Sequence, residues 1–89
     1  MRLAKTLEDL PVGTQVEIYD PDPFLPTLRK GIVAIDTGIP ENDCDDLRMI
    51  TILCSDGSLF ELVDEEMEIL QVWKKQGGQV LEIRIVEIK

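Results

Sequence analysis

Eighteen acidic side chains, two cysteines and no histidine are what this 89-residue chain offers to chemistry. The missing histidine removes the usual general base at neutral pH and most zinc ligand sets. Cys44 and Cys54 lie too far apart for a Cys-x-x-Cys pair, and without a secretion signal both are expected as reduced thiols. Asp36, Glu41, Asp43, Asp45 and Asp46 are hard oxygen donors, and calcium takes about six to eight of these. Their spacing lacks the alternating ligands and the glycine of a calcium loop, so they read as a solvated loop. Carboxylate pairs for glycoside hydrolysis occur in any chain this acidic, but nothing sets their separation. The expectation is no enzyme, no cofactor and no metal.

The acids are also unevenly placed. The net charge is −9, and residues 36–68 hold eleven acids against the single base Arg48, while residues 69–89 carry four bases and two acids. An acidic body repels a phosphate backbone, so direct nucleic-acid contact is not expected. The same charge offers a different function, imitation of that backbone. In that case Asp43, Asp45, Asp46, Asp64, Glu65 and Glu66 are surrogate phosphates facing a basic protein partner. The blander reading is solubility. No apolar run approaches the roughly 18 residues of a membrane span, and the N-terminus lacks the apolar core of a leader, so no membrane contact and a cytoplasmic site are expected.

What must position these groups is mostly strand. The 44% of hydrophobic residues suits one folded domain over residues 1–89. Thr6 caps a short helical turn that Pro11 stops. Val16 and Ile18 then alternate with polar neighbours at the period of a half-buried strand. Residues 29–38 form a second strand, in which Gly31 marks a bulge or tight bend. Residues 39–47 form an exposed acidic loop. In the hairpin of residues 48–63, a two-residue Asp56-Gly57 turn mixes polar and apolar residues on both faces. A three-residue loop, Ser55-Asp56-Gly57, sets Ile52 opposite Phe60 and Ile50 opposite Leu62, which makes one face apolar. Asp64 to Glu66 form a brief turn. A second hairpin then folds about Gly77-Gly78, pairing Val72 with Ile83, Leu70 with Ile85 and Gln71 with Arg84.

Two candidate surfaces follow. The second hairpin turns Leu70, Val72, Leu81, Ile83 and Ile85 inward and leaves Ile69, Trp73, Val80, Arg84 and Val86 on a mixed face. An aromatic centre with a charged rim suits an interface, and the unpaired edge needs a cover, so a homodimer through this hairpin is expected. The stretch "YDPDPFLPTLRKG", residues 19–31, is biased to extended backbone by its three prolines. It reads first as a rigid cover that tucks Phe24 and Leu25 over an open end of the fold. Its second reading is a recognition loop, in which Tyr19, Asp20, Asp22 and Phe24 hold a cation, a basic peptide or a small molecule.

Across residues 7–70, "LEDLPVGTQVEI", "RKGIVAI" and "MITILCSDGSLFELVDEEMEIL" resemble the small SH3-like barrels of the Tudor and KOW kind. Leu10, Gly13, Val16, Gly31, Val33, Asp56, Gly57 and Leu70 stand where that pattern would place them. The resemblance implies a mainly β fold, a small SH3-like barrel of five to six antiparallel strands with one short N-terminal helical turn. The barrel would occupy residues 1–70, and 71–89 would complete the added C-terminal hairpin. Partners across such barrels run from peptides to nucleic acids, so the fold alone names no ligand. The function expected is a non-catalytic interaction or assembly module, with the acidic mimic and the small-molecule or cation binder as alternatives.

Overall fold

The computed structural model describes residues 2–38 and 48–87. The fold is mainly β. Among the described residues six strands form one open sheet: β1 (Arg2–Leu3), β2 (Gln15–Asp20), β3 (Thr27–Asp36), β4 (Met49–Cys54), β5 (Leu59–Val63) and β6 (Glu82–Ile85). Their order across the sheet is β1-β6-β2-β3-β4-β5, and every pairing is antiparallel. One helix, α1 (Asp64–Lys75), separates β5 from β6.

The expected N-terminal turn is present as a 3-10 turn over Leu7–Asp9. The Asp9 carboxylate accepts the Lys5 N–H at 2.9 Å and the Thr6 N–H at 3.2 Å. These bonds, that from Lys5 foremost, hold its carboxyl below the ordinary range. The turn drops Leu7 and Leu10 into the core, where both are fully buried.

Val16 and Ile18 face inward from β2, as their alternation predicts. The first hairpin has the predicted register, with Ile52 opposite Phe60 and Ile50 opposite Leu62. Cys54 donates to the Ser58 carbonyl, so Ser55-Asp56-Gly57 is a three-residue loop with Gly57 left-handed at φ 87°. Ile50, Ile52 and Leu62 are fully buried and Phe60 packs against them at the margin. Each such side chain stabilises the fold by about 1.5–3 kcal/mol relative to exposure.

β3 begins at Thr27, earlier than expected, and its register slips between Val33 and Ile35 rather than at Gly31. Gly31 serves a different need. It lies between Val16 and Cys54 in an inward-facing row, and a Cβ there would stand 2.7 Å from Ile52 Cγ2 and 2.9 Å from the Leu53 carbonyl oxygen. Only a residue without a side chain lets β3 and β4 approach so closely.

The second hairpin is absent. Its expected first arm is the 12-residue helix α1, and β6 pairs elsewhere: Ile83 with Ile18, Arg84 with Glu17, and Ile85 with Val16. The reason is local. Asp64, Glu65 and Glu66 occupy the first turn, and Lys74 and Lys75 the last, each sign opposing the partial charge of its helix end. Gly77, at φ 82°, ends the helix. Its N–H donates to the Lys74 carbonyl and that of Gly78 to the Trp73 carbonyl, both at 3.0 Å, the Schellman pattern. The Gly-Gly pair is thus a helix stop rather than a hairpin turn. Met67 from α1 joins the same buried cluster as the sheet, with Leu70 and Leu81 packed against it. No described helix is long and apolar enough to cross a membrane.

Candidate functional site

β2 carries Tyr19 outward at its C-terminal end, opposite Glu82 of β6. Two positions on, Arg84 shares that face. Its guanidinium carbon lies 4.6 Å from the Tyr19 ring centroid, and its Nε donates to Glu82 Oε2 at 3.0 Å. A cation over an aromatic face is held by the ring quadrupole, so Arg84 fixes the tyrosine plane.

Beside this pair lies a cleft of about 410 Å³. The proline stretch walls one side with Pro21, Asp22, Pro23 and Pro26, and the segment after α1 walls the other with Gly78, Gln79 and Val80, between Tyr19, Lys74 and Glu82. The volume falls in the range that holds small ligands. One oxygen of the Asp22 carboxylate is engaged within the loop. Its Oδ1 accepts the N–H groups of Phe24 at 2.8 Å and Leu25 at 3.3 Å, bending the tip of the loop.

The loop is not the cover expected of it. Phe24 and Leu25 cover nothing: they are 94% and 70% exposed, held out by the bend that Asp22 caps. Of the four loop residues expected to make a site, Tyr19 and Asp22 line the cleft, whereas Asp20 and Phe24 do not.

The five residues assigned to the hairpin face are dispersed, because that face does not exist. Ile69 and Trp73 lie on the outer side of α1, joined there by Val72, and these three are 43%, 56% and 51% exposed. Val80 lines the cleft, whereas Arg84 does not and touches it only through the Tyr19 ring on which it stacks. Val86 extends β6 by donating to the Gln15 carbonyl and borders a separate, shallow depression with Ile32 and Leu53. The meeting of Val80 with Tyr19 and Asp22 in one cleft joins parts of two surfaces that the sequence treats as separate.

Of the acidic candidates, Asp43, Asp45 and Asp46 lie outside the described residues, as does Cys44. Asp64, Glu65 and Glu66 are exposed on the first turn of α1, where the helix N-terminus already accounts for them. Cys54 is buried on the inner face of β4.

Sequence reasoning passes over one cluster. Arg48 precedes β4 and donates from Nη2 to Asp36 Oδ2 at 2.9 Å, from Nε to Asp36 Oδ1 at 3.3 Å, and from Nη1 to Glu8. The Arg48 and Asp36 side chains are only 13% and 16% exposed. The guanidinium first, and then the N–H of Gly38, hold the Asp36 carboxyl below its ordinary range. Asp36 and Glu8 in turn raise the Arg48 pKa further. The available signal was that Arg48 is the one base among eleven acids of residues 36–68. This fork ties the N-terminal turn to β3 and β4, a structural role.

No family model matches the chain, and no curated protein or solved structure matches it either.

Proposed function

We propose that the protein is a non-catalytic interaction and assembly module of the cytoplasm, an SH3-like sheet that self-associates through the outer face of α1. The observation that carries this reading is the stripe of Ile69, Val72 and Trp73, three large apolar side chains that leave roughly half their surface in water. At about 100° per residue they fall within a third of the helix circumference. Tryptophan, here on one flank of the patch, is among the residues most enriched at binding hot spots. Trp73→Glu places a charge there without touching the buried cluster that Met67 anchors on the opposite side. Light scattering behind a sizing column should give a multiple of the chain mass for the native protein and a single-chain mass for the variant, with the same far-ultraviolet circular dichroism. A native mass of one chain at every concentration defeats the proposal, as does an unchanged mass for the variant.

The cleft favours a second reading, a binding module for a small molecule, a cation or a short peptide. Its support is the convergence of Tyr19, Lys74, Val80 and Glu82 around one volume. Fragments that raise the melting temperature of the native protein should lose that effect in Tyr19→Ala. Retention of every shift would place their binding elsewhere.

A further inference from the structure

We propose that the partner at α1 is a second copy of the chain and that the two helices pack antiparallel about a two-fold axis. The proposal rests on the self-association reading above and adds the partner's orientation and the contacts that select it.

The argument comes from what flanks the apolar stripe. Projected at about 100° per residue, Glu65, Ile69, Val72 and Gln76 form the centre line of the outer face. One flank carries Glu66 and Trp73. The other carries Glu68 and Lys75, both exposed and separated by two helical turns. Met67, Leu70, Gln71 and Lys74 turn the opposite way, toward β1 and β6, where they border a small cavity with Leu3, Ala4 and Ile83. They take no part in the outer face.

A two-fold axis that makes two helices antiparallel brings each flank against its own copy, running in reverse. Ile69 then meets Val72 of the other copy, and Val72 meets Ile69. On one flank Glu68 meets Lys75 and Lys75 meets Glu68, two opposite-charge contacts for one pair of residues. On the other flank Trp73 lies over Ile69 and the aliphatic stem of Glu66. A parallel pair about a two-fold axis instead brings unlike flanks together: Glu65 meets Glu65 on the centre line, Glu68 meets Glu66, and Lys75 faces Trp73 rather than an acid. The helix dipoles add to the preference, since antiparallel helices set opposite ends together. The charge pattern of α1 is therefore self-complementary in one orientation only. The surface is short, about 18 Å for 12 residues, so the expected dimer is one that dissociates on dilution.

The test uses the full chain and two exposed positions. The dimer dissociation constant is read by light scattering over a dilution series at low salt, with circular dichroism to verify the helix in each variant. Glu68→Lys alone and Lys75→Glu alone should each weaken the dimer about tenfold, since every change turns two attractive contacts into repulsive ones. The double variant Glu68→Lys, Lys75→Glu should return to within about threefold of the native constant, because the contacts are restored with their signs exchanged. A dimer that Trp73→Glu dissociates but that all three charge variants leave unchanged overturns the antiparallel arrangement and leaves self-association standing. A double variant no tighter than the single ones overturns it equally. A native chain that stays single at every concentration removes both readings.

Discussion

Gly31→Ala is expected to lower the stability of the fold by about 2 kcal/mol, which for a chain of this size is a fall in melting temperature of roughly 8–16 °C. Alanine is the smallest possible addition, and its backbone preference in a strand is slightly better than that of glycine. The effect is therefore steric. The new methyl group stands 2.7 Å from Ile52 Cγ2 and 2.9 Å from the Leu53 carbonyl oxygen. The Ile52 side chain is fully buried among core neighbours, and the carbonyl belongs to the β3–β4 ladder. Relief requires the two strands to separate, which also disturbs Cys54 and Val16 in the same inward row. A thermal melt of the variant within a degree or two of the native protein would show that the ladder opens at no cost, contrary to the packing described. Gly31→Val, which adds two more carbons at the same place, should be the more damaging change.

Arg48→Met should cost more, about 2–3 kcal/mol at neutral pH. Breaking a fully buried ion pair costs about 3–5 kcal/mol, and the slight exposure of Arg48 and Asp36 reduces this. Methionine keeps the aliphatic stem, so the loss is that of the guanidinium and its two bonds to Asp36. Glu8, which is largely exposed, regains water and contributes little. The Asp36 carboxylate is left with the N–H of Gly38 as its donor. The pH dependence has a definite sign. The folded protein holds the Asp36 carboxyl below its ordinary value of 3.8, so the stabilisation is complete above about pH 4 and is lost as the pH falls through the depressed folded value. The gap between native and variant melting temperatures should then be widest near neutrality and narrow below about pH 4. Asp36→Asn combined with Arg48→Met should be less harmful than Arg48→Met alone, since no buried charge is stranded. A gap that does not change with pH, or a double variant worse than the single one, would remove the ion pair from the account.

How much of this was legible follows from the range of the forces involved. The β4–β5 register could be read from the sequence because an incorrect turn length moves Ile50 and Leu62 to opposite faces. A one-residue slip is an all-or-none penalty. β2 could be read for the same reason of period. The helix α1 was masked by Ile69, Val72 and Trp73, strand-favouring residues whose apolar character had no visible use except in a sheet. Its end signals were present nonetheless: three acids, then two lysines, then Gly77. Once α1 is a helix, Leu70 and Met67 share a side by helical spacing, and the same apolar residues that seemed to need a sheet become an outer stripe.

The candidate cleft was half legible. Tyr19 and Asp22 drew attention through the prolines around them, but the opposing wall, Gly78 to Val80, depends on α1 ending where it does. The approach of Arg84 to Tyr19 depends on β6 pairing with β2, a contact between distant parts of the chain that no local pattern encodes. The Arg48 fork is of the same kind, with its three members drawn from residues 8, 36 and 48.

The position of β6 between β1 and β2 also imposes an order of assembly. Strands β2 to β5 form a meander in which each pairs with the next, so their contacts close short loops and can form as soon as the chain has been made. Among the described residues β1, the first of the six strands in the sequence, pairs only with β6, the last of them. On a ribosome β1 therefore waits unpaired until β6 has emerged, and the free edge of β2 waits with it. The nascent chain completes this sheet only after the residues of β6 have emerged, a step that joins the two ends of the described chain.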